Sequence, residues 1–274
     1  MHRTRGDLCP GVLRPWPAED GALVRLRVPG GHLTRTSLLA LLDVAETWGD
    51  GRVHLTKRAN LQLRALPLAD GAVPTEVVEA IRATGLLPHP EHELVRNVLV
   101  SPLTGLVGGR ADLRAVTTEL DARICATPSL AKLPGRFLLV LDDGRGDLAD
   151  RSCDLGLVAL SGGEVQLRIG SSHWGPVVPL AEAAARLTGL ARAFQQVRGT
   201  GDDAAWHVDE LPVPPAGQPA DPRALVASAP PAYGEVAPGV THHAVEGGVV
   251  ARGVASTLPE QLVVTPWKSL VSLR

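Results

Sequence analysis

From Gly51 to Leu66 the chain reads GRVHLTKRANLQLRAL, and polar and apolar residues alternate along it. Val53, Leu55, Leu61, Leu63 and Ala65 fall on one side, with Lys57 the exception. His54, Thr56, Arg58, Asn60, Gln62 and Arg64 fall on the other. A period of two puts one face of a strand on a core and the other on water or a ligand. The phase holds across Arg58-Ala59-Asn60, so a bend there is expected to keep both faces. Upstream, Ala22 to Val28 alternates in the same way. Val24, Leu26 and Val28 point inward, Arg25 and Arg27 outward. Pro29-Gly30-Gly31 ends that strand. Thr34 can cap a helix, and Leu38, Leu41, Leu42, Ala45 and Trp48 recur at helical spacing. A second helix is expected over Pro74 to Thr84. The order strand, helix, strand, strand, helix covers one sheet face and leaves the arginine-bearing face open to water, a ligand or another domain. A solvated antiparallel face is the plain alternative.

Further along, His89-Pro90-Glu91-His92 reads as a turn, because Pro90 disfavours the helix that a pair of metal-binding imidazoles would need. Val95 to Leu106 is a strand running into a loop, and Asp112 to Cys125 a helix with Leu113, Val116 and Leu120 inward. Leu133 to Asp147 is a buried strand closing in an acidic turn. Asp142, Asp143 and Asp147 lack the full EF-hand spacing, so a solvated turn is expected there. Leu155–Leu160 and Glu164–Ile169 flank Ser161-Gly162-Gly163 as a hairpin. Pro179 to Val197 is an amphipathic helix. Gly199 to Pro238, rich in Pro, Gly, Ala and Asp, reads largely as an interdomain linker.

Composition narrows the function classes. The 274 residues are 45% hydrophobic, enough for one large or two ordinary domains. A net charge of −2 argues against a general nucleic-acid or membrane-surface binder. No apolar run approaches a membrane span and the N-terminus is no signal peptide, so the expected compartment is the cytoplasm. Cys9, Cys125 and Cys153 are odd in number and far apart, which suggests reduced thiols.

The segments GALVRLRVPGG and HLTKRANLQLRAL, with the capped helix between them, resemble the ferredoxin-like half-domain of nitrite and sulfite reductases. CPGVLRPWPAEDG, VRNVLVSPLTGL and LPGRFLLVLDDGRGD resemble one branch of that family, precorrin-3B synthase of aerobic cobalamin synthesis. The resemblance runs over most of residues 8–273. It implies an α+β fold in four parts. These are a ferredoxin-like half-domain over 8–88, a nitrite/sulfite reductase-type α+β domain over 89–198, a linker over 199–238, and an incomplete second ferredoxin-like unit over 239–274.

In the second unit, Gly247 to Val254 answers Gly21 to Val28, and Val264 to Leu270 answers Leu55 to Leu61. Thr265 then stands opposite Thr56 and Ser269 opposite Asn60. The stretch that holds the helix in the first unit is missing in the second. A parallel crossover needs roughly a dozen residues or more, so the C-terminal unit is expected to pair differently or pack loosely. Residues 8–198 are then the expected stable core.

The resemblance also implies a site. Arg25, Arg27, Arg58, Asn60, Gln62 and Arg64 would hold the carboxylates of a tetrapyrrole, with Arg96 and Arg136 at positions where the reductases face their anion or tetrapyrrole. Those enzymes carry a second basic residue two places beyond Arg136, but Leu138 stands there. That departure favours a tetrapyrrole over sulfite or nitrite as ligand. The family uses a [4Fe–4S] cluster, with sirohaem in the reductases, and such a cluster needs four thiolates. Three scattered cysteines do not match, so no cluster and no metal is expected in this chain, which reads as stopping before the cluster motif. The readings left open are a precorrin-3B synthase-like enzyme acting on precorrin-3A by O2-dependent hydroxylation, a non-catalytic tetrapyrrole binder, one subunit of a split reductase-like enzyme with a separate cluster-bearing subunit, and a decayed gene product.

Overall fold

The computed structural model describes residues 7–211 and 217–274. The chain opens with strands β1 (Trp16–Ala18), β2 (Gly21–Leu26) and β3 (His32–Thr34), helix α1 (Arg35–Trp48), strands β4 (Val53–Leu55) and β5 (Leu61–Leu66), and helix α2 (Thr75–Ala83). Then come β6 (Val98–Val100), α3 (Arg114–Cys125), β7 (Leu139–Asp142), β8 (Leu155–Ala159), β9 (Glu164–Ile169), β10 (His173–Pro179) and α4 (Ala183–Val197). The last stretch holds β11 (Gly234–Ala237), β12 (Val240–His243), β13 (Val249–Val250), α5 (Arg252–Ala255), β14 (Gln261–Val264) and β15 (Leu270–Leu273). The fold is α+β, with three five-stranded sheets among the described residues.

Contacts divide the chain into two compact units, one of Cys9–Leu94 with Pro231–Arg274, the other of Val95–Pro230 with Asp7 and Leu8. This differs from the four-part expectation: residues 239–274 group with the first ferredoxin-like segment, and most of the expected linker belongs to the other unit.

The first unit is built from two repeats that exchange a strand. Its sheets run β1-β2-β5-β4-β13 and β11-β12-β15-β14-β3. Thus β3, from the first repeat, pairs antiparallel with β14, and β13, from the second, pairs antiparallel with β4. The local chemistry follows the sequence. Thr34 Oγ1 accepts the Ser37 N–H at 2.9 Å as the N-cap of α1. Leu38, Leu41, Leu42 and Ala45 are buried.

The second repeat keeps only one helical turn where the first has α1, and it is differently registered from expectation. The counterpart of β2 is β12, and Gly247-Gly248 answers Gly30-Gly31, all four glycines having positive φ. The strand after the glycine pair leaves for the opposite sheet, so no parallel crossover has to be spanned. The single turn of α5 suffices, and its Arg252 bonds Asp43 and Glu46 on α1. Leu262, Val263, Val264, Leu270 and Val271 are all buried, so the unit does not pack loosely. At Gly31 a Cβ would lie 2.3 Å from the Val264 carbonyl oxygen, so the exchanged pairing itself demands glycine there.

In the other unit the sheet runs β10-β9-β8-β7-β6, parallel from β6 to β8 and antiparallel beyond. Helices α3 and α4 pack on it, with Phe137 and Phe194 ring centroids 5.2 Å apart in the core. Two expectations are corrected here. The acidic turn is buried: Asp142, Asp143 and Asp147 all lie below 5% exposure. Asp142 accepts N–H groups from Gly144, Gly146 and Leu148, Arg145 forks onto Asp143, and Ser101 donates to Asp147 Oδ1. The presumed linker is also docked: Gln166 donates to the Pro219 carbonyl at 2.9 Å and accepts the Asp221 N–H at 2.7 Å. Its Pro and Gly content marks irregular backbone, but that backbone is hydrogen-bonded. Among the described residues no helix is long and apolar enough to cross a membrane.

Candidate functional site: a basic cavity in the repeat unit

The strands β4 and β5 are joined by a tight turn whose hydrogen bonds explain both what enters the site and what does not. The Thr56 N–H donates to the Asn60 carbonyl, and Ala59 takes φ of 55°. Thr56 Oγ1 accepts the Asn60 N–H at 3.1 Å. The positive φ turns Asn60 inward, where it is 1% exposed and its Oδ1 accepts the Val28 N–H at 3.0 Å. The polar face therefore breaks phase at the bend. Asn60 is a backbone clamp, a correction to its expected place on the ligand face.

The second repeat has the same turn. Thr265 N–H donates to the Ser269 carbonyl, Lys268 takes φ of 58°, and Thr265 Oγ1 bonds Ser269. Lys268 stands where the first repeat has Ala59, and its side chain reaches across to the first sheet. It can do so because Gly248 has no Cβ, which would meet Lys268 Cβ at 2.7 Å.

The result is an open cavity of about 430 Å³. Arg25, Arg58, Gln62 and Arg64, four of the expected site residues, line it. His54, Thr56, Lys57, Gly247, Gly248 and Lys268 complete most of its wall. Arg25 donates to Gln62 Oε1 at 3.3 Å, while its buried Nε has no hydrogen-bond partner. Burial leaves the Arg25 pKa below its usual value; Cys9 opposes this, and the neighbouring Arg58 adds to it more weakly. Arg64 pairs with Asp20 at 3.1 Å, and His54 Nε2 with Asp50 at 2.6 Å. Neither acid lines the cavity, whose lining carries Arg25, Lys57, Arg58, Arg64 and Lys268 and no carboxylate. Guanidinium forks at this density suit a ligand with several carboxylates.

Three expected residues lie elsewhere. Arg27 is 3% exposed; it bonds the Pro10 carbonyl and donates to the Arg25 carbonyl at 3.0 Å. Glu93 accepts the Val12 and Leu13 N–H groups at 2.6 and 3.0 Å on the same segment. Burial lowers Arg27 to about 10, with Arg25 adding to the effect, so it is charged at neutral pH and anchors the N-terminal loop. Arg96 and Arg136 belong to the other unit. Arg96 forks onto Asp121 at 2.8 and 2.7 Å; burial opposes its charge, but these bonds hold its pKa above the usual value. Arg136 is exposed, its guanidinium 6.0 Å from the Trp206 ring centroid. Lys57, Lys268 and the glycine pair were not singled out from the sequence as ligand residues. The alignment of Thr265 and Ser269 with Thr56 and Asn60 is the signal that could have found Lys268.

A cluster or metal finds no donor set among the described residues, which hold no group of three or more His, Cys, Asp or Glu placed for one. Burial also pushes the Cys125 and Cys153 thiols up to about 11, away from the thiolate that ligation requires.

Residues 16–72, which supply most of the cavity, match the nitrite/sulfite reductase ferredoxin-like half domain. The chain is also similar to a precorrin-3B synthase of Sinorhizobium sp, 32% identical over 162 residues, 57% of this chain and 33% of the relative. A ferredoxin–nitrite reductase of Synechococcus elongatus is 32% identical over 130 residues, 45% of this chain and 25% of the relative. The NirA protein of Mycobacterium tuberculosis shares the fold, with a TM-score of 0.69 and 19% identity over 99% of this chain and 57% of its own. The chain spans a third or less of the length of these curated relatives.

Proposed function

We propose that this chain binds a carboxylate-rich tetrapyrrole of cobalamin biosynthesis, precorrin-3A or a close relative, in the basic cavity of the repeat unit. The observation that supports this most is the meeting of Arg25, Arg58 and Arg64 with Lys57 and Lys268 around one open cavity. The similarity to a precorrin-3B synthase supplies the ligand class. On this reading Arg58 and Lys268, one from each repeat, grip separate carboxylates, while Gln62 holds the Arg25 fork in place. Oxidative hydroxylation, if the ligand undergoes it, draws its redox centre from outside the described residues, and a separate cluster-bearing polypeptide is the proposed source.

Uroporphyrin III, a stable octacarboxylate, is the probe. Titration of the purified chain should show saturable binding that weakens about tenfold or more in Arg58→Ala, since a charge-assisted bond contributes about 1.5–3 kcal/mol. The melting temperature should not change, because Arg58 fills no core position. Unchanged affinity at unchanged stability would make the cavity a solvated face and refute the proposal.

A further inference from the structure

The other unit carries a second cavity, remote in character from the basic one. Register pairs Gly156 with Arg168 and Val158 with Gln166, so these four share one face of the β7–β10 sheet. Residues 218–228 lie on that face as a strap. Its Gln218 N–H donates to the Trp174 carbonyl at 2.7 Å, Gln166 bonds Pro219 and Asp221, and the Ser228 N–H donates to the Gly146 carbonyl at 3.0 Å. Ala224 packs with Val158, Leu160 and Trp174. The strap does not fill the space beneath it. A cavity of about 240 Å³ remains, lined by Asp142, Arg168, His173, Trp174 and Ala224 among others. That is smaller than the range of about 300–1,000 Å³ usual for drug-sized ligands, so its occupant is small.

Arg168 decides the chemistry. It is 7% exposed, donates through Nη2 to the Arg151 carbonyl at 2.9 Å, and stands 5.9 Å from the Trp174 ring centroid. Among the described residues it has no ion-pair partner. The carboxylate that lines the same cavity, Asp142, is committed to three backbone N–H groups. A buried guanidinium without a counter-ion is costly, and an oxyanion in its fork relieves that cost. His173 brings a second donor to the wall. Apart from Ser171, the remainder, with Trp174, Val158, Ala224 and Leu225, is apolar, which suits a flat hydrocarbon body rather than a fully hydrated dianion such as phosphate.

We propose that Arg168, His173 and Trp174 form a site for a small planar organic monocarboxylate beneath the 218–228 strap. Benzoate is the probe, titrated into the full chain by calorimetry and by tryptophan fluorescence. Saturable binding is expected, and neither benzyl alcohol nor inorganic phosphate should compete comparably. Arg168→Gln should weaken binding about tenfold or more, while Arg58→Ala, in the basic cavity, should leave it unchanged. If Arg168→Gln does not fold, His173→Gln carries the test with a several-fold loss. Absence of saturable binding, equal competition by benzyl alcohol or phosphate, full affinity in the folded variants, or loss of binding in Arg58→Ala would each overturn the proposal.

Discussion

Asp147 offers a prediction whose size can be worked from its surroundings. Its carboxylate accepts from Ser101 at 2.8 Å, but Oδ2 is buried without a hydrogen-bond partner, and the nearest cation, Arg145 Nε, is 3.9 Å away. Burial pushes the group up to about 7 from its usual 3.8. The Ser101 bond and Arg145 pull down, while Asp142 and Asp143 push up further. At about 1.4 kcal/mol per pH unit, this is on the order of 4 kcal/mol. The folded-state pKa lies above the unfolded one, so the group's contribution is fully present below about pH 4 and is lost as pH rises through 7. Asp147→Asn keeps the shape and the acceptor for Ser101 but does not ionise. It should therefore melt higher than the wild type at pH 8, with the gap closing as the pH falls. From pH 5 to pH 8 the wild type should lose on the order of 3 kcal/mol relative to the variant, or about 10 °C of melting temperature for a unit this size. Parallel thermal melts across that range are the assay. A gap that stays constant with pH would show that Asp147 remains ionised throughout and would refute the reasoning.

Asn60→Ala leaves the buried Val28 N–H without its acceptor, so chemical denaturation should show a loss of about 1–3 kcal/mol; no loss would mean that water or another group replaces the amide. Gly31→Ala should be worse tolerated than Gly71→Ala, because only at Gly31 does backbone stand in the way of a Cβ; equal melting temperatures would contradict this. A chain ending at Pro230 lacks β12, β14 and β15, and amide exchange in α1 should then approach the unfolded rate. Retained protection would mean that the first repeat folds unaided. Asp121→Asn strands the buried Arg96 charge and should cost about 3–5 kcal/mol, read by urea unfolding.

Much of the first repeat was legible in the sequence because its signals are local. Thr34 caps the helix it was expected to cap, Val24, Leu26, Leu61 and Leu63 are buried as read, although Ala65, at positive φ, yields the inward place to Leu66, and in the other unit the Ser161–Gly163 hairpin forms. The misreadings share a cause, which is partnering at long range. Arg27 looks like a surface arginine until Pro10 and Glu93 are brought to it. Asn60 keeps alternation in the sequence but not in space, because one residue at positive φ reverses it. The acidic turn is polar by composition, yet Ser101, just past the end of β6 and distant in sequence, bonds it in the interior. Of the cavity, the arginines could be read; the lysine from the other repeat was signalled only by the pairing of Thr265 and Ser269 with Thr56 and Asn60, and it lies against Gly248, a contact the sequence does not show.

The exchange of β3 and β13 has a consequence for how the chain is made. As the polypeptide leaves the ribosome, β3 appears early, yet Leu33 must wait for Leu262 before its ladder can close. All of Val95–Pro230 is translated in that interval, and its strand pairings are internal to it. The inserted unit can therefore finish folding while the segment translated before it still holds open strand edges, the species most prone to stray association. Order of folding then runs opposite to order of synthesis, and the demand for chaperone protection falls on the N-terminal repeat. Late-closing pairings of such long sequence separation also make refolding slow from denaturant.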